Sequence, residues 1–222
     1  MAKRKIKIKI PSLSEAVTGI IQTPKEVKAV LVIAHGAGAG MTHTFMESLA
    51  QAFEEKNIAT LRFNFPYMEK GSRRPDRPAV AHAAIEAAFA RAQQYGKKFG
   101  MPVYVSGKSF GGRMTSQLLA NGGLKESKGL ILFGFPLHAP GKQSTERAAH
   151  LKDIRKRMLF HQGTRDTLAD NKLIHQVVSE LKPAKLHILE GADHSFKTLK
   201  SSGINFEETL SKIVHETVKF IR

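Results

Sequence analysis

The chain has 222 residues, enough for one domain with a sizeable core, and 41% are apolar, an ordinary share for a folded domain. It contains no cysteine, which excludes a disulfide framework, a thiolate metal site and a cysteine nucleophile. The formal charge of +16 raises the question of a nucleic acid or an anionic membrane. The basic residues are scattered, however, over Lys3–Lys9, Lys70–Arg77, Lys152–Arg157 and Lys197–Lys200, without interleaved aromatics of the kind that stack bases. No specific nucleic-acid partner is expected, and a solvated basic surface accounts for the charge.

No apolar run approaches the ~20 residues of a membrane span. The N-terminal MAKRKIKIKI breaks apolarity with charge at every second residue, so it is not a secretory apolar segment and a cytoplasmic location is expected. The same alternation of Ile6, Ile8 and Ile10 with Lys5, Lys7 and Lys9 predicts a half-buried strand whose lysines discourage edge-to-edge pairing. A second strand is expected over Ala16–Gln22. From there strand-like and helix-like periods alternate. Ala29–Ala34 reads as a buried strand, and Thr44 with Glu47 three residues on reads as a capping box opening a helix. That helix would turn Met46, Leu49, Ala50 and Phe53 inward. Ile58–Phe63 is the next strand, followed by a helix from Asp76–Pro78 to Gly96. Val103–Val105 is a strand leading straight into a helix that Gly122–Gly123 stops beyond Leu119. Leu130–Phe133 and Met158–Phe160 are short strands, with a connecting helix expected within Thr145–Ile154. Asp170 caps a helix carrying Leu173, Ile174, Val177, Val178 and Leu181, which Pro183 ends. Leu186–Leu189 is the last strand, and Leu210, Ile213, Val214 and Val218 mark a terminal helix. Buried strands alternating with amphipathic helices predict an α/β domain whose mostly parallel sheet is covered on both faces. Sites in such sheets form beyond the carboxyl ends of the strands.

The sequence places its unusual segments at those ends. Gly107-Lys108-Ser109-Phe110-Gly111 is a G-x-S-x-G pentapeptide lying between a strand and a helix, the context a nucleophile elbow requires. Its Gly-Lys-Ser is not the tail of a phosphate-binding loop, since Pro102 stands where that motif needs glycine. A plain helix cap at Ser109 would not explain the glycines on both sides. After the strand Ala29–Ala34 comes His35-Gly36-Ala37-Gly38-Ala39-Gly40, a loop suited to supply one oxyanion N–H, the other coming from the residue after the nucleophile. Ala37 and Phe110 are the candidate donors, with Gly38 as the alternative to Ala37. A dinucleotide fingerprint fails in both registers, because Met41 and His43 occupy the third-glycine positions.

A serine hydroxyl needs a base, and the base an orienting carboxylate. Of the seven histidines after Ser109, His194 alone sits in a small-residue loop, GADHSF, following the last strand. Asp166, in HQGTRD, lies just past the strand Met158–Phe160, between Ser109 and His194 in chain order. Asp193 adjoins His194, but neighbouring loop residues point apart, and Asp153 precedes its strand. No H-E-x-x-H or comparable ligand spacing occurs, so no metal or other cofactor is expected.

Together the G-K-S-F-G, H-G-A-G, Q-G-T-R-D and G-A-D-H-S-F segments resemble the α/β-hydrolase superfamily over nearly the whole chain from Ala29 onward. FNFPYMEKGSRRPD, GFPLHAPGK and HQGTRD look like its small dienelactone-hydrolase-like branch, which has eukaryotic relatives of the KANL and Tex type associated with chromatin complexes. The resemblance implies a single α/β-hydrolase domain without a large cap. It also implies a serine hydrolase that cleaves a carboxylic ester or related acyl bond in a small-molecule substrate. Its alternative is an interaction protein on the same scaffold. True dienelactone hydrolases use a cysteine where this chain has Ser109. The span available for a lid, Phe135–Ser144, is short and stiffened by Pro136 and Pro140, so an open site for compact acyl groups is expected, with Tyr67, Leu137 and His138 as its walls. Oligomeric state is not legible.

Overall fold

The computed structural model describes residues 2–222. Its eight strands are β1 (Ala2–Ile10), β2 (Glu15–Thr23), β3 (Ala29–Ala34), β4 (Ile58–Phe63), β5 (Val103–Lys108), β6 (Leu130–Phe133), β7 (Met158–Gly163) and β8 (Ala184–Leu189). They form one sheet in the order β1-β2-β4-β3-β5-β6-β7-β8. β1 pairs antiparallel with β2, and β2 with β4, while every pairing from β4 to β8 is parallel. The helices are α1 (Thr44–Glu54), α2 (Pro66–Glu69), α3 (Pro78–Phe99), α4 (Phe110–Ala120), α5 (Asn171–Ser179) and α6 (Phe206–Ile221).

Period-two alternation divides the fully buried strands between two cores. Val30 and Val32 of β3 join Ala84, Ala88 and Ala92 of α3 and Met114 of α4 on one face. Leu31 and Ile33 join Leu49 and Phe53 of α1 and Ile213 of α6 on the other. Each large apolar side chain buried in this way contributes roughly 1.5–3 kcal/mol relative to exposure. Among the described residues no large cap rises over the carboxyl ends of the strands, and no helix is long and apolar enough to cross a membrane.

β1 is an edge strand with Lys3, Lys5, Lys7 and Lys9 exposed and Ile8 and Ile10 buried, as its alternation predicts. Four local expectations change. The cap of α1 is His43, whose Nδ1 accepts from Phe45 N–H at 3.3 Å, so Thr44 lies inside the helix and makes no capping box with Glu47. Glu47 instead receives the Lys3 ammonium at 3.1 Å. β5 and β7 run three residues further than their apolar cores suggest. Their polar ends are satisfied within the sheet: Ser106 Oγ donates to the Val32 carbonyl at 2.8 Å, and His161 and Gln162 pair with β8. The connection expected as a helix within Thr145–Ile154 is the 3-10 segment Glu146–Asp153, anchored by buried Ala148 and Leu151. α3 continues past Gly96 to Phe99, where Gly100 at φ 65° ends it in a left-handed cap.

The chain leaves β3 for β4 on one side and later reaches β5 on the other. β3 and β5 are therefore neighbours whose following loops diverge, and the crevice between them is where α/β sheets hold ligands.

Candidate active site

Ser109 stands at the turn from β5 into α4 with φ 50° and ψ −114°, a backbone region that costs a non-glycine residue about 1–3 kcal/mol. The glycines around it are required by contact. A Cβ on Gly107 would collide with the backbone of Gly111 and Gly112, and one on Gly111 would lie 2.5 Å from the carbonyl oxygens of Ala34 and His35. Strand and helix thus approach too closely for side chains, and the turn pushes the Ser109 hydroxyl outward. Its N–H donates to the Phe133 carbonyl of β6 at 3.1 Å, which fixes the turn to the sheet.

His194 meets Ser109 across the sheet. Its Nε2 lies 2.9 Å from Ser109 Oγ, and its Nδ1 lies 2.7 Å from Asp166 Oδ2. A carboxylate only accepts, so the imidazole proton sits on Nδ1 and leaves Nε2 free to accept from the hydroxyl. Asp166 is buried at the end of the loop after β7 and also receives the Leu168 N–H at 2.8 Å and the side-chain amide of Gln162. Three donors to one carboxylate hold it in place. Asp193 turns away from the imidazole. Its Oδ1 accepts from Ser195 N–H at 2.8 Å and Lys197 N–H at 2.9 Å, which shapes the loop bearing His194.

His35 is buried after β3 and neutral, its pKa pushed down to about 4 by burial against the opposing effect of its bond to Gly36. Nδ1–H donates to the Gly36 carbonyl at 2.8 Å, and Nε2 accepts from Phe65 N–H at 3.1 Å. It pins the start of the glycine loop, so Gly36 packs on the elbow: a Cβ there would be 3.7 Å from Ser109 Cβ. Phe110 is the first residue of α4, where an N–H has no intrahelical acceptor. Among the described residues Ala37 N–H also donates to nothing.

A family model for an alpha/beta hydrolase domain matches residues 27–222. The chain belongs to the alpha/beta hydrolase family. Solved structures with the same fold include an alpha-beta serine hydrolase homologue from Coxiella burnetii, at 20% identity and TM-score 0.75, covering 100% of this chain and 99% of that one. A dienelactone hydrolase from Anabaena variabilis is 14% identical with TM-score 0.76, over 98% of this chain and 95% of that one. A serine hydrolase without lid from Xanthomonas campestris is 16% identical with TM-score 0.74, over 99% and 95%.

In this alpha/beta hydrolase a cavity of about 390 Å³ opens above Ser109 and His194. Gly36 and Ala37 border it on one side, and Phe45, Met46 and Phe206 form an apolar wall on the other. The expected walls lie elsewhere. Tyr67 is buried beneath the glycine loop, with its hydroxyl donating to the Gly36 carbonyl at 3.4 Å, and Leu137 is fully enclosed in the core. His138 is also buried. Its Nδ1 donates to the Ala139 carbonyl and its Nε2 accepts from Asp170 N–H at 2.8 Å, tying the Phe135–Ser144 span to the cap of α5. All three occupy the α3/α4/α5 side of the sheet or its loops, whereas the cavity faces α1 and α6. One further residue borders the cavity that its motif leaves undefined: Lys108, the variable position before Ser109.

Proposed function

We propose that this protein is a serine hydrolase that cleaves a carboxylic ester or related acyl bond through an acyl-enzyme on Ser109. The observation that carries the reading is the unbroken hydrogen-bonded series Ser109–His194–Asp166 opening onto a cavity. Ser109 Oγ attacks the acyl carbon as its proton passes to His194 Nε2. Asp166 keeps the proton on Nδ1 and offsets the charge of the imidazolium. The carbonyl oxygen becomes an oxyanion held by the N–H groups of Ala37 and Phe110, whose donors are pre-oriented by the glycine loop and the start of α4. His194 then returns its proton to the leaving alcohol or thiol. In the second half, water gives a proton to His194 and attacks the acyl-enzyme, and on collapse His194 passes that proton to Ser109 Oγ as the bond to the acyl carbon breaks and the acid leaves.

Besides the substrate and water, each step draws on side chains and amides of this chain. The apolar wall of Phe45, Met46 and Phe206 suits the hydrocarbon part of a compact acyl group. The test is labelling with a fluorophosphonate probe, with the adduct located by mass spectrometry. The expected result is modification of Ser109, with labelling and turnover of nitrophenyl acetate lost in Ser109→Ala while thermal unfolding is unchanged. Removal of a nucleophile lowers the rate by several orders of magnitude, so turnover by Ser109→Ala within about tenfold of the parent would remove Ser109 from the mechanism.

A further inference from the structure

Lys108 has no assigned part in the elbow, yet its side chain is folded inward rather than left in solvent. Nζ donates to the main-chain carbonyl of His194 at 2.6 Å. The ammonium also lies 5.2 Å from the centre of the Phe196 ring, within the range of a cation–π contact. Beneath it is Gly134, at φ 62°: a Cβ there would be 2.9 Å from Lys108 Nζ and 3.5 Å from His194 Nδ1. The ammonium and the imidazole therefore rest side by side on one glycine.

Drawing an ammonium partly out of water is unfavourable unless its protons find acceptors. Burial pushes Lys108 down to about 8, with the charges of Asp166 and Asp193 acting in the opposite direction. The loop around His194 has other anchors, but they hold its neighbours. Arg165 N–H binds the Ala192 carbonyl at 2.9 Å, and Asp193 organises Ser195 and Lys197. Among the described residues Lys108 is the one hydrogen-bond donor to the carbonyl of His194 itself.

We propose that Lys108 is a positioning residue for His194, a strut that runs from the residue before the nucleophile to the backbone of the base and sets the distance between Ser109 Oγ and His194 Nε2. The proposal rests on the reading of Ser109, His194 and Asp166 as an acyl-transfer site. β5 carries one end of the strut and the loop after β8 the other, so movement of either strand relative to the other is resisted at the site. A displacement of about 1 Å between reacting groups lowers a rate by about 100-fold.

Lys108→Met keeps the apolar stem and removes the ammonium, whereas Lys108→Arg keeps a cation that does not lose its proton. We expect Lys108→Met to lower kcat for nitrophenyl acetate and the rate of fluorophosphonate labelling by about 100-fold, with KM within about threefold. Lys108→Arg should recover most of that loss. In the parent enzyme the rate should fall as pH rises through about 8, where the ammonium facing Asp166, Asp193 and the His194 carbonyl loses its charge. Lys108→Arg should lack that decline. Independently of turnover, amide hydrogen exchange over residues 192–196 should be faster in Lys108→Met and near parental in Lys108→Arg. Labelling of the parent at Ser109 together with unchanged labelling of Lys108→Met overturns the strut and leaves the nucleophile standing. A rise in KM alone makes Lys108 a substrate contact and also overturns it. If the parent itself is not labelled, the acyl-transfer reading fails, and unchanged loop exchange in Lys108→Met then rejects the strut on its own.

Discussion

Asp166→Asn tests the assignment of the acid more sharply than any deletion, because it replaces one oxygen by an amino group and keeps the shape. Asp166 accepts from three donors: His194 Nδ1–H at 2.7 Å, Leu168 N–H at 2.8 Å and the Gln162 amide. An asparagine has one accepting oxygen and one amino group, so in either orientation a donor faces a donor. A main-chain N–H cannot reverse, but an imidazole can move its proton. The asparagine oxygen should therefore stay with Leu168, and its amino group should face His194. The imidazole proton then shifts to Nε2, where the ring can no longer accept from Ser109. The opposite orientation keeps the tautomer but still removes the negative charge beside the imidazolium. A loss of about 10⁴-fold in kcat is expected, equivalent to about 5.4 kcal/mol of transition-state stabilisation. Asp193→Asn is the matched control. Its Oδ1 accepts from Ser195 and Lys197 N–H, and an asparagine oxygen can keep both. Its loss should stay within about threefold, since Asx-type loop bonds are retained. The assay is kcat for nitrophenyl acetate, with fluorophosphonate labelling rate as the check on acylation and thermal unfolding as the check on folding. Asp166→Asn within about tenfold of the parent, or a larger loss in Asp193→Asn, would refute the assignment.

Two further outcomes follow from the cavity and from the buried histidines. With no large cap and an open cavity of about 390 Å³, kcat/KM across nitrophenyl esters from acetate to palmitate should peak at short chains without a jump at the micellar limit; a maximum at palmitate would refute this. Stability should fall as pH drops from about 6.5 toward about 4: His35 is held neutral when folded and must take a proton when unfolded, so its contribution is present above the unfolded value and lost below it. For His35 alone the effect is roughly 3 kcal/mol, and burial pushes His161 down as well, so a urea midpoint unchanged between pH 7.5 and 4.5 would contradict the burial seen for both.

Much of this architecture was legible in the chain because its causes are local. Alternation of isoleucine with lysine marks an edge strand, and continuous apolar runs such as Ala29–Ala34 mark strands buried on both faces; neither depends on distant residues. The glycines around Ser109 report backbone contacts between a strand and the helix that directly follows it, so their spacing carries the geometry. Chain order, position past a strand and the small-residue loop GADHSF pointed to Asp166 and His194, and the structure brings both side chains into one series with Ser109. What tertiary structure alone decided is which surfaces meet. The lining of the cavity depends on where the packing of α1 and α6 brings Phe45, Met46 and Phe206 together, and these residues are distant in sequence. Tyr67, Leu137 and His138 stand near the motifs in sequence, but their backbones place them on the opposite side of the sheet, where burial and hydrogen bonds occupy them. Gln162 and Lys108 look like solvent-facing polar residues in the chain. Gln162 meets Asp166 in the loop directly after its own strand, whereas Lys108 reaches the His194 carbonyl only because the successive parallel pairings from β5 to β8 bring that distant loop within hydrogen-bond reach, and an arrangement of that kind is a property of the whole sheet.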